Sequence, residues 1–229
     1  MRKLNLIIYL IAFCAGTSAQ SQYGIKGGMN LNYLEFSGDL ITDHNCIARF
    51  GYSIGLAGEH SFNHRFYLQS GLNFISKNYA LDITDFYGVE AQGYDRYNVL
   101  YLDLPVILGM NFGNIRLFGG GYFDYSLGGT NHHQIEYDPG MTKKSSTDDI
   151  DAAAKFSRKK VDEIFPLQAH HLLDAGFLVG LGRRNDDFSL DLTYSHGLIN
   201  VFPEVENTDY RSCYKMYIRS ITLSVFFYL

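Results

Sequence analysis

Eight stretches of this chain alternate apolar and polar residues with a period of two, and the last of them runs to the final residue. It reads Ile221-Thr222-Leu223-Ser224-Val225-Phe226-Phe227-Tyr228-Leu229. Its odd positions are all large and apolar, while their partners begin small and polar and turn aromatic. Period two is the repeat of an extended strand with a different surrounding on each face. Closing on such a strand, after a start that resembles an export signal, predicts an outer-membrane β-barrel.

The start consists of Met1-Arg2-Lys3, an apolar run from Leu4 to Ala15, and then Thr17-Ser18-Ala19. A charged start, a short apolar core and small residues predict a signal peptide over residues 1–19, leaving 20–229 as one barrel domain. Phe13 is bulky where a lipobox needs a small residue, so Cys14 is not a lipoprotein anchor. No later apolar run approaches the length of a spanning helix. A chain that crosses lipid without helices must close its sheet, because open edges leave backbone groups unsatisfied. With 17 Phe, 18 Tyr and no Trp, any interfacial girdle must be built from Tyr and Phe. The net charge of −5 speaks against a nucleic-acid partner.

The two faces of the strands differ in kind. In the first, Tyr23, Ile25, Met29, Leu31 and Tyr33 oppose Lys26, Gly28, Asn30 and Asn32. In the second, Phe50, Tyr52, Ile54 and Leu56 oppose Gly51, Ser53, Gly55 and Glu59. The third and fourth set Leu72 and Phe74 against Gln69, Asn73 and Lys77, and Leu102, Leu104 and Val106 against Tyr101 and Asp103. The fifth to seventh repeat the pattern around Arg116 and Asp124, Asp174, and Asp191. Short connections at 60–65, 111–114 and 183–187 alternate with long ones at 35–48, 80–96, 128–169 and 199–212. Short periplasmic turns and long extracellular loops are the rule for outer-membrane barrels. A soluble lipocalin-like barrel would give its loops no reason to alternate.

Several segments, in order, resemble the PorT-type outer-membrane β-barrel domain family of Gram-negative bacteria. They are Tyr23-Gly24-Ile25-Lys26-Gly27-Gly28-Met29-Asn30-Leu31, Tyr101-Leu102-Asp103-Leu104-Pro105-Val106-Ile107-Leu108, Leu117-Phe118-Gly119-Gly120-Gly121-Tyr122, Asp174-Ala175-Gly176-Phe177-Leu178-Val179-Gly180-Leu181-Gly182 and Leu190-Asp191-Leu192-Thr193-Tyr194. The resemblance covers nearly all of 20–229. It implies an eight-stranded antiparallel barrel in the outer membrane and brings no shared catalytic residues or cofactor.

The polar face collects Lys26, Lys77 and Arg116 with Glu59, Asp103, Asp124, Asp174 and Asp191. Charges inside a narrow barrel are tolerable when paired, so the expectation is an ion-pair network that fills the lumen. His132-His133 and His170-His171 fall on either side of the third loop, where imidazoles could ligate zinc or copper, although no recognised metal spacing is present. Ser195 and His196 are strand neighbours and point to opposite faces, which argues against a nucleophile–base pair. Cys46 and Cys213 are expected to form a disulfide, since the first and last strands adjoin in a closed barrel and the cell surface is oxidising. Within the third loop, Ser146 and Asp149 resemble a capping box before Ile150, Ala153, Ser157, Val161 and Ile164 at helical spacing, so a short helix is expected there.

The functional expectation is a non-enzymatic, monomeric barrel that presents loops for structural or binding roles. Its expected partners are outer-membrane lipids and an unidentified extracellular ligand or protein. The basic third loop makes lipopolysaccharide one candidate. A small solute channel and a lipid-modifying enzyme are the alternatives.

Overall fold

The computed structural model describes residues 21–37, 44–86, 89–137, 144–150, 172–201 and 215–229. Nine strands are present among them, β1 (Ser21–Ser37), β2 (His44–Ser61), β3 (Phe66–Phe86), β4 (Val89–Phe112), β5 (Ile115–Tyr137), β6 (Lys144–Ile150), β7 (Leu173–Arg184), β8 (Phe188–Gly197) and β9 (Lys215–Tyr228). Each pairs antiparallel with its neighbours. Eight of them close a ring, since β9 pairs with β1, β4 with β5, and β5 with β7. The ninth, β6, joins β5 above the ring. The predicted signal segment 1–19 lies outside the described residues.

Alternation assigns the two faces. Outward positions such as Ile25, Tyr52, Leu72, Leu108, Val179 and Leu223 are large, apolar and exposed. Inward positions such as Arg116, Asp124, Asp174 and Asp191 are buried. On β4 every outward residue from Phe112 up to Leu100 is apolar. The twelve residue steps between them, tilted about 45°, rise roughly 28 Å, which matches a hydrocarbon band near 25 Å. The short turns need special backbone in one place. Gly113 takes φ 60 in the turn joining β4 to β5, a left-handed value that a side chain opposes.

The strands are longer than the sequence pattern suggests. Residues 80–96 form no long loop, because β3 continues to Phe86 and β4 begins at Val89. The third loop also differs from expectation, with Lys144–Ile150 a strand that covers the proposed helix start at Ser146–Asp149. The reason is tertiary. Pairing of β5 with β7 ends at Tyr125 and Leu173, yet β5 runs on to Tyr137. Its second edge would be left open, and β6 supplies those hydrogen bonds over Gly129–Ile135. The remaining proposed helix positions, from Ala153 onward, lie outside the described residues.

Candidate functional site: the barrel lumen

The inward residues stack into layers. At the periplasmic end, Arg184 pairs with Glu59 and donates to Gln22. Just above, Arg116 is fully buried and reaches in several directions at once. Its Nη2 lies 3.0 Å from Glu59 of β2, its Nε donates to the Tyr67 hydroxyl at 2.8 Å, and its Nε is 3.5 Å from Asp191 of β8. Tyr228 accepts from Nη1 at 3.2 Å. Lys26 approaches Asp191 more loosely, at 3.9 Å. Tyr67 can lie flat across this layer because Gly109 faces it, where a Cβ would come within 2.1 Å of the ring.

An apolar layer of Tyr67, Ile107, Phe118, Tyr122 and Leu178 follows. Above it Lys77 sits between two carboxylates, 2.6 Å from Asp124 and 2.9 Å from Asp174. The Tyr122 ring lies 4.6 Å from the same ammonium, and the Tyr122 hydroxyl donates to Asp174 at 3.1 Å. Asp103, Asp124 and Asp174 are register partners across β4, β5 and β7. Asp103 is bound by the Asn73 amide at 2.7 Å instead of a cation.

A second apolar cluster closes the extracellular end. It contains Leu34, Tyr79, Leu81, Tyr97, Val99, Tyr101, Val201, Met216 and Ile218. Most of these residues fall at the edges of the connections that the sequence pattern assigned to loops. Alternation of Tyr79 with Leu81, and of Tyr97 with Val99, was the available signal. Arg184, Gln22 and Tyr67 were also missed, Arg184 because it abuts a turn.

Cys46 is free, and its expected partner Cys213 lies outside the described residues. A bulge sets the facing of Cys46. Register shifts by one residue between Ala48 and Ser53, which reverses the facing of β2 above it. Cys46 thereby packs inward against the upper apolar cluster. Burial there pushes its thiol up to about 11.

His132 and His133 pair with Thr147 and Ser146 of β6, well above the last β5–β7 pair. His170 and His171 lie outside the described residues. No group of three or more His, Cys, Asp or Glu among the described residues is placed to hold a metal ion. His196 faces outward, its ring stacked 4.6 Å from that of Phe177, and Ser195 takes the opposite face of β8.

The chain resembles several solved barrels at low identity. The attachment invasion locus protein Ail of Yersinia pestis, crystallised with the heparin analogue sucrose octasulfate, is 10% identical, with a TM-score of 0.40 over 92% of this chain and 99% of that one. Neisserial surface protein A is 10% identical, with a TM-score of 0.36 over 90% and 97%. OprG from Pseudomonas aeruginosa is 11% identical, with a TM-score of 0.36 over 92% and 95%. No curated protein matches the sequence. The outer membrane protein beta-barrel domain matches residues 18–203, and with eight antiparallel strands in a closed ring the chain belongs to that family of outer-membrane barrels.

Proposed function

We propose that the protein is a non-enzymatic, monomeric barrel with a plugged lumen, whose role is carried by the surfaces it raises outside the cell. One observation supports this most. Arg116 and Lys77 each tie together carboxylates from different strands, with aromatic layers between and above them. An eight-stranded barrel is about wide enough for its own side chains, so such layers leave a solute no continuous polar path. The same packing argues against the channel reading. An enzyme reading would need a nucleophile and base together, and Ser195 and His196 do not meet.

Export through the signal at 1–19, contact with outer-membrane lipids, and a PorT-type place within the family belong to this proposal. The ordered motifs quoted above support the last of these. The test is solute flux. Proteoliposomes carrying the folded protein should not swell in isosmotic small sugars faster than protein-free vesicles, and rapid swelling would refute the plugged reading. Incubation with phospholipid or lipid A, followed by mass spectrometry, should leave both unchanged, and a mass shift would refute the non-enzymatic reading.

A further inference from the structure

The outward face changes abruptly where the apolar belt ends, and on one side of the barrel the sheet continues upward from that point. On β4 the outward series above Leu100 is Asn98, Arg96 and Tyr94. On β5, above Leu127, it is Thr130, His132 and Gln134. The two series are register partners, Asn98 with Thr130, Arg96 with His132 and Tyr94 with Gln134. They share a face opposite to that of Tyr97 and Val99, which close the lumen. The bulge at Gly128, with φ 136, keeps the β5 side chains in phase with β4 across this step.

This shelf is organised. The Tyr94 hydroxyl donates to Gln134 Oε1 at 2.7 Å, and the Tyr94 and His132 rings lie 6.1 Å apart. The exposed Arg96 guanidinium lies over the Tyr94 ring at 4.1 Å. Asp82 stands one step further up, opposite Tyr94. A guanidinium stacked on a ring keeps its N–H groups in a fixed plane, which suits bidentate binding of a phosphate or carboxylate.

Position selects the ligand. The shelf does not face up into the medium. It looks sideways, directly above the hydrocarbon belt, into the headgroup layer of the outer leaflet. In a Gram-negative outer membrane that layer holds the anionic sugars and phosphates of lipopolysaccharide. We infer that this face of β4 and β5 binds the anionic inner saccharide of a neighbouring lipopolysaccharide molecule, with Arg96 on its phosphate or carboxylate and Asn98, Thr130 and Gln134 along its hydroxyls. This rests on the reading of the barrel as a surface-presenting protein and names the partner of one such surface.

The test titrates full-length folded protein in detergent micelles with deep-rough lipopolysaccharide, and in parallel with lipid A stripped of core sugars. Wild type should bind the sugar-bearing lipid more tightly. Arg96→Gln should weaken that binding by about ten- to a hundredfold, the range of a lost charged hydrogen bond, and leave binding of sugar-free lipid A unchanged. Asn98→Ala should weaken it in the same selective way. Lys215→Gln, an exposed cation at the top of β9, should have no effect. Heat-modifiable gel mobility establishes that each variant is folded before titration. Equal affinity of Arg96→Gln and wild type, or equal affinity for both lipids, would overturn the inference. Delipidated core oligosaccharide that binds as tightly as the intact lipid would also overturn it, by pointing to free glycan. Solute flux is unaffected by any of these results, so failure here and failure of the plugged reading are separable.

Discussion

Arg116 of β5 reaches across the lumen and holds the Glu59 carboxylate of β2 at 3.0 Å, with two strands of the ring between them. The contact is a cross-brace inside the barrel. It is independent of the backbone ladder that joins neighbouring strands.

Removing one partner from such a buried pair leaves the other charge uncompensated. Arg116→Leu should therefore cost about 3–5 kcal/mol of stability, read as a lower urea midpoint in detergent or lipid. Glu59→Gln should cost less, because Arg116 keeps Asp191 and Tyr67.

Lys77 lies between Asp124 and Asp174 and is the cation nearest to both. Lys77→Met should destabilise by a similar amount, about 3–5 kcal/mol. Adding Asp124→Asn and Asp174→Asn to that variant should restore much of the loss, since the stranded negative charge is then gone. Urea titrations of the single and triple variants check both statements.

Leu104 is 44% exposed on the lipid face, near the middle of the outward apolar series of β4. Leu104→Arg should cost about 2–4 kcal/mol, the depth-dependent value for a charge near the bilayer midplane. Reduced heat-modifiable band intensity after folding into vesicles is the readout.

The Cys46 thiol is free and is pushed up to about 11 by burial. A raised thiol holds its proton at neutral pH, and the thiolate is the reacting form. Alkylation of Cys46 in folded protein should succeed without prior reduction. It should be slow at pH 8 and rise about tenfold per pH unit until the pH approaches 11. A Cys213→Ser background isolates the signal.

The lipid face and the lumen charges were legible because period two survives wherever each face meets a single surrounding. Tyr52, Ile54 and Leu56 point out and Glu59 and Lys77 point in, as their positions in the alternation require. The upper strands were not legible. Asp82, Asp85, Gly88 and Gly93 give 80–96 the composition of a loop, while the alternation of Tyr79 with Leu81 and Tyr97 with Val99 is short. The Cys46 facing was hidden by a one-residue bulge, which leaves composition unchanged and reverses direction. Ser146 and Asp149 carry a local helix-start signal, and the open edge of β5 that overrode it is known only once the ring is closed. The shelf around Arg96 was hidden for the same reason, since its residues meet only through register.

Side chains are expected to close the lumen from end to end. Single-channel recording of the folded wild-type protein in a planar lipid bilayer should then show a baseline without stable steps across applied voltages, and regular unitary conductance steps from that protein would mean that the lumen is open.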